Sequence, residues 1–373
     1  MAVHPRRWSR RSFVISALGM ARGLAQSRKG ATFESERLRY SDPTTELPVV
    51  RLTNPAYSSK LPAYYNRILS RRGGYFLFYS DRSGSPQAYR LDVKSGAIRQ
   101  LTEIADLDGA TLTLTPDNRS FCFFAGRSLY VASLSSLRER KIYTVPEGTE
   151  RCSCMTVGPD GTAATFAEQR GDTSALRLVT LGRGAARTII EAPFPIADPI
   201  PRPRRAQVLY RQGDQALWLV DSDGTNNRQL KLADGTIGPA NWAPDGKTLL
   251  YLNFPADHKQ LNTIREETPD TNTDKLVAKT SQFVQFGFNH DTSVFVGASR
   301  NQASPTVLLL LRMARREFTL CEHGAKHPET VQPMFSPDSQ TVYFQSDRNG
   351  KSALYAMDVN KLVSDTENEE DEP

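Results

Sequence analysis

The 373-residue sequence predicts an all-β fold: a seven-bladed β-propeller of four-stranded antiparallel blades, its ring closed by a strand from the N-terminal side. Three observations predict it. Two distant passages, "YFLFYSDRSGSPQAYRLDV" (75–93) and "SPDSQTVYFQSDRNGKSALYAMDV" (336–359), say nearly the same thing. Turn signals recur at 71, 116, 159, 203, 244, 290 and 337, at intervals of 41–47 residues. The last unit lacks its fourth strand, and a copy of that strand stands ahead of the first unit. A repeat of about 40–45 residues holding four short strands is the signature of a propeller.

The elements follow in order. Pro-Asp marks the first turn at Pro116-Asp117, Pro159-Asp160, Pro244-Asp245 and Pro337-Asp338; degenerate forms are Arg71-Arg72-Gly73, Pro203-Arg204 and His290-Asp291. After each turn comes a short run rich in aromatic and β-branched residues: "YFLFYS", "SFCFFA", "TAATFAEQ", "AQVLYRQ", "TLLYLNF", "SVFVGAS" and "TVYFQSD". Such runs suit a pleated, half-buried surface. "PVVRLTN" (48–54) copies "AIRQLTE" (97–103) and is expected to complete the last blade, leaving no long open sheet edge.

Four segments result: an export signal at 1–26, a linker at 27–45, the propeller at 46–360 and an acidic disordered tail at 361–373. "SRRSFVISALGMARGLAQS" sets Arg10-Arg11 before a short apolar stretch, the pattern of a twin-arginine leader, which predicts a periplasmic or extracellular protein. Without that leader the net charge drops from +6 to +1. The tail "SDTENEEDEP" carries six acids, so the propeller itself holds about +7, a balance compatible with an anionic ligand. No apolar run is long enough to span a membrane as a helix, and no nucleic-acid module is present. The four cysteines make no disulfide framework. Cys152 and Cys154, two apart, would share a face of one strand. A propeller peptidase is excluded by the lack of a hydrolase domain or Gly-x-Ser-x-Gly element.

Residues five and seven before each turn should face the central funnel, where each innermost strand begins. They are Asn66 and Tyr64, Thr111 and Gly109, Cys154 and Cys152, Pro239 and Ile237, Gln285 and Phe283, and Gln332 and Thr330. The fourth unit, "APFPIADPIPRPRR", is too rich in proline to align by eye.

"YYNRILSRRGGYFLFYSDRSGSPQAYRLDVKSGAIRQLTE", "NWAPDGKTLLYLNF" and "CEHGAKHPETVQPMFSPDSQTVYFQSDRNG" resemble the oligogalacturonate lyase family, seven-bladed propellers related in fold to TolB-type propellers. The resemblance covers most of 45–360. It implies cleavage of short pectic fragments by β-elimination, with a divalent metal, manganese in the family, neutralising the uronate carboxylate and a histidine as base. It also implies a metal site of histidines plus a glutamine. Here the sequence departs from its relatives. Thr330-Val331-Gln332-Pro333 stands where they carry His-x-His-Pro, and Pro239 where the fifth blade carries a histidine. The metal would then fall to His327, Gln332 and Gln285. Arg67, Arg151 and Asn66 would engage an oligogalacturonide or other anionic sugar. Of the remaining histidines, His4 lies in the leader, His258 in a polar turn, His290 at a turn on the opposite rim and His323 four residues before His327. No catalytic base is evident, so the expectation is a lyase-like propeller of weak or lost activity. The competing reading is a non-catalytic propeller that binds a sugar, peptide or protein in its funnel.

Overall fold

The structure, a computed structural model, describes residues 28–213, 216–257, 259–301 and 303–367. The expected leader, His258 and the last six residues of the acidic tail lie outside them. Seven antiparallel sheets are arranged as blades. Their innermost strands include Ser59–Lys60, Leu107–Leu114, Thr156–Val157, Ala197–Pro201, Thr236–Trp242, Phe283–Phe288 and Met334–Phe335. Among the described residues no helix is long and apolar enough to cross a membrane.

The turns show why the repeat reads as it does. In each of the five turns that carry an aspartate, its Oδ1 accepts the backbone N–H two residues on. The distances are 3.0 Å from Arg119 to Asp117, 3.0 Å from Thr162 to Asp160, 2.9 Å from Lys247 to Asp245, 3.0 Å from Ser293 to Asp291 and 3.2 Å from Gln340 to Asp338. This side chain imitates a backbone turn, and the residue after it swings into the left-handed region. All seven turns hold such a residue: Gly73, Asn118, Gly161, Arg204, Gly246, Thr292 and Ser339. Glycine is required at 246, where a Cβ would lie 2.1 Å from the Pro203 carbonyl oxygen of the blade before.

The N-terminal strand closes the ring as expected. Pro48–Arg51 pairs with Ala353–Asp358, Val50 opposite Ala356 and Arg51 opposite Tyr355. The stretch expected as a linker adds more. Leu38–Ser41 lies outside Pro48–Arg51 as a fifth strand of blade 7, and Thr32–Phe33 pairs with the outer strand of blade 1. The two SDR motifs hold this strap. Arg82 is buried, donates to Glu36 Oε1 at 3.0 Å and lies over the rings of Tyr89 and Phe33. Arg348 sits over Tyr40 and donates to Glu322 O at 2.7 Å. Asp81 and Asp347 each cap the loop entering the inner strand of their own blade, accepting from Ser58 and Lys326 N–H. The repeated passages are therefore equivalent clamps on the two blades that meet at the closure. Phe76 and Tyr343 pack across that seam with ring centroids 5.2 Å apart. At the other end, Asn360–Glu367 forms a short helix in what the composition marks as tail, with Val363 buried.

Candidate functional site

At the rim where the inner strands begin, a cavity of about 440 Å³ opens into the channel. Lys60, Tyr64 and Tyr65 of blade 1, Cys154 of blade 3, Asp198 of blade 4 and His327 and Gln332 of blade 7 line it. A smaller cavity of about 140 Å³ continues along the channel, between Tyr64, Asn66, Asn241, Gln332 and Phe286.

The fourth blade supplies the carboxylate. Asp198 accepts a hydrogen bond from the Tyr65 hydroxyl at 3.1 Å and from Arg211 Nε at 3.3 Å. Arg211 also donates to the carbonyl oxygens of Ile237 and Gly238 at 2.7 and 2.6 Å, tying blade 4 to blade 5. The inner strand breaks register between Ala197 and Ile200, so the Pro199 nitrogen needs no ladder partner. Asp198 itself adopts a φ of 45°. A side chain held in that sparsely populated conformation by a bulge and two hydrogen bonds is pre-positioned.

Tyrosines form the wall beside it. The Tyr64 hydroxyl donates to Ala240 O and accepts from Ala240 N at 3.3 and 3.2 Å. Its ring meets that of Tyr65 edge-on at 4.9 Å. Burial pushes the Tyr64 phenol up to about 12 and raises Tyr65 well above its ordinary value. Tyr79 is likewise pushed up to about 12, by burial first and the Asp108 carboxylate second. It packs on Gly109, where a Cβ would lie 2.1 Å from the ring. All three phenols stay protonated at neutral pH, which removes Tyr64 as a base.

The residues singled out in the sequence separate. Asn66 and Gln332 meet at the smaller cavity. Asn66 is buried; its Nδ2 donates to Ala110 O and Leu112 O at 3.3 and 3.4 Å, while its Oδ1 has no partner. Gln332 takes a left-handed φ of 46°. Gln285 is buried with Oε1 unpartnered but lies on neither cavity wall. His327 lines the mouth, with 71% of its side chain exposed and Nδ1 3.4 Å from Glu329 Oε1. His323 is buried. Its Nε2 donates to Ser299 O at 3.1 Å and its Nδ1 accepts from Ala325 N at 3.0 Å, so both ring nitrogens are committed. Burial holds it neutral. His290 bonds Ser339 Oγ at 3.1 Å on the turn rim.

The guanidinium groups are occupied. Arg151 is ion-paired with Asp108, donates to Ser153 O and lies over the Phe124 ring at 4.7 Å. Arg67 donates to Pro116 O at 3.1 Å and Asn118 Oδ1 at 2.9 Å, at the turn where the inner strand of blade 2 ends. Cys152 and Cys154 do not share a face, because the chain bends between two short strands. Cys152 packs toward blade 4, while Cys154 lines the funnel with its thiol pushed up by burial. All four cysteines are free.

Sequence reasoning missed Asp198, Tyr65, Tyr79 and Arg211. For Asp198 the signal was present: it stands five residues before the turn at 203, at the same offset as Asn66, Cys154 and Gln332. The bulge at Pro199 masked it.

The chain resembles known proteins of one kind. A profile for oligogalacturonate lyase matches residues 27–168. The oligogalacturonide lyase of Pectobacterium atrosepticum is 25% identical over 86% of this chain and 95% of its own length; the oligogalacturonate lyase of Dickeya dadantii is 24% identical with the same coverage. The chain is similar to oligogalacturonate lyases over most of its length. Its fold matches that of an oligogalacturonate lyase in complex with manganese, with a TM-score of 0.85 and 24% identity over 91% of this chain and 100% of that one. It also matches an oligogalacturonate lyase from Vibrio parahaemolyticus, with a TM-score of 0.83 and 23% identity over 89% and 98%.

A manganese ion does not fit the donors present. Among the described residues no three His, Cys, Asp or Glu side chains converge. His327 faces solvent beside Glu329, and Gln285 is not on the wall that His327 shares with Gln332. Two neutral amides and one exposed imidazole that do not converge are a poor match for a divalent cation.

Proposed function

We propose that the protein binds short pectic oligosaccharides in the funnel between Asp198, the tyrosine wall and Gln332, and that metal-assisted β-elimination is weak or lost. The observation that carries this reading is similarity to oligogalacturonide lyases over 86% of the chain, joined to a funnel in which the described residues form no convergent donor set. The Asp198 carboxylate and the Gln332 carboxamide suit sugar hydroxyls. The tyrosine rings offer flat apolar faces for the C–H side of a pyranose. Abstraction of the proton beside a uronate carboxyl needs a base with a pKa near the working pH, a contribution typically worth about 10²–10⁴-fold. The phenols are too basic and His323 is committed to its hydrogen bonds. Binding therefore outlasts catalysis.

Calorimetry with pectic trisaccharides, run beside the absorbance of the unsaturated product, tests this. Binding with little or no product, unchanged by manganese or chelator, is expected. Rapid product formation that chelator abolishes would overturn it. As part of the same proposal, the Arg10-Arg11 pattern would direct the protein out of the cytoplasm. Arg10→Lys with Arg11→Lys should hold the protein in the cytoplasm, and undiminished export of that variant would remove this part.

A further inference from the structure

We infer that the funnel takes pectic oligosaccharides whose uronate carboxyls are esterified in preference to the free acid. This rests on the funnel being a pectic-sugar site, as proposed above, and names the substrate class it selects.

The first ground is the fate of the cations. A free galacturonate brings one negative charge per sugar and needs a guanidinium, an ammonium or a metal to meet it once water is displaced. Each of the three nitrogens of Arg211 already donates within the protein, to Asp198, Ile237 O and Gly238 O. Arg151 is spent on Asp108 and Ser153 O, and Arg67 on the turn at Pro116. Lys60 is the lysine on the wall, against two carboxylates, Asp198 and Asp347. His327 faces Glu329. The propeller is basic overall, but the wall of this cavity presents two carboxylates and one ammonium, and the guanidinium that pairs with Asp198 has no nitrogen left for a ligand.

The second ground is what the wall offers instead. Asp198 is held by Tyr65 and Arg211 with 32% of its side chain exposed, so its carboxylate can accept further hydrogen bonds from sugar hydroxyls. Next to a uronate the same carboxylate repels, and repulsion between like charges is strong away from bulk water. A methyl ester removes that charge, adds a methyl group for the tyrosine rings and leaves a carbonyl that neutral donors satisfy. The loss of metal donors then has a physical reason. A bound cation and an ester both cancel the carboxylate charge, and a site for esters has no use for the cation.

The test is calorimetry of the full chain at low ionic strength with trigalacturonate and with its methyl ester. The ester is expected to bind at least tenfold more tightly, and its affinity to change little when salt is raised. Equal or tighter binding of the free acid would overturn the inference while leaving the funnel a pectic-sugar site. Binding of neither sugar would remove that site and the inference together. Asp198→Asn should narrow the gap between the two ligands. Asp347→Asn should do so too, and it leaves the Arg211 contacts in place should the first variant fold poorly. A gap that neither substitution changes would also contradict the assignment.

Discussion

The seam between blades 7 and 1 and the junction of blades 4 and 5 are built on different principles. At the seam the sequence repeats itself and the repeated side chains are partnered: Arg82 with Glu36, Arg348 with Tyr40 of the strap and with Glu322 O of blade 6, Asp81 and Asp347 with backbone N–H groups. Between blades 4 and 5 the repeat falters. The inner strand carries two prolines, Pro199 and Pro201, Asp198 takes a left-handed φ, and Glu267 of blade 5 is buried with neither carboxylate oxygen partnered. The regular side closes the ring, and the irregular side supplies the carboxylate of the funnel. Sites of function are where local rules tend to be broken and compensated elsewhere.

The largest effect should come from breaking the regular side. Deleting 46–54 removes the ladder to Ala353–Asp358 and the register Val50 to Ala356, and is expected to cost several kcal/mol, on the order of a few backbone hydrogen bonds plus their packing. Chemical denaturation checks this; an unchanged cooperative midpoint would show that the strand does not close the ring.

Next in size is the buried glutamate. Glu267 lies directly opposite Asp274 across the strands, with Arg228 reaching in from blade 4 and Arg265 engaged with Asp274 at 2.9 Å. Burial first, and the Asp274 charge second, push the Glu267 carboxyl up to about 7 from its ordinary 4.5. The folded protein then keeps a proton that the unfolded chain releases above pH 4.5, so stability declines as pH rises toward 7 and stays lower beyond it. Glu267→Gln should flatten that decline and stabilise the protein by up to about 3 kcal/mol at pH 8, since one pKa unit corresponds to about 1.4 kcal/mol. Melting temperatures at pH 5 and pH 8 measure it; a variant no more stable than the wild type at pH 8 would mean the carboxylate is satisfied after all.

The two histidines of one loop give a smaller contrast. His323 is buried and neutral, so it supports the fold above its ordinary pKa of 6.5, and that support is lost as pH falls below it. His323→Gln should cost about 1–3 kcal/mol at pH 7 through its two buried hydrogen bonds, with a smaller deficit at pH 5. His327→Ala, four residues on and exposed, should stay within about 0.5 kcal/mol of wild type at both values. A large loss at 327 would give that imidazole a structural role that its exposure does not suggest.

The fold was legible because it is written seven times. Any one turn is ambiguous, but Asp117, Asp160, Asp245, Asp291 and Asp338 perform the same capping at nearly constant intervals, and the copy of the outer strand at 48–54 fixed the closure. The N-terminal strap was not legible. Thr32–Phe33 and Leu38–Ser41 are short edge strands, paired with Ile98–Gln100 and Pro48–Arg51 and clamped by the side chains of Arg82 and Arg348, which periodicity does not encode. In the funnel, position counting found Tyr64, Asn66, Cys154 and Gln332. It passed over Asp198 because proline disrupts the strand pattern, and over Tyr65, Tyr79 and Arg211 because they reach the site from neighbouring positions and a second strand. The chemistry of Arg151 and Arg67 was the least legible, since their partners Asp108 and Asn118 lie more than 40 residues away.

The position of a bound sugar tests the account most directly. A structure of the protein soaked with methyl-esterified trigalacturonate should show a ring against Tyr64 and Tyr79 with a hydroxyl on Asp198, inside the mouth lined by Gln332. A ligand seated instead in the larger groove of about 950 Å³ beside Asp234, Phe254 and Arg300, with the funnel empty, would contradict it.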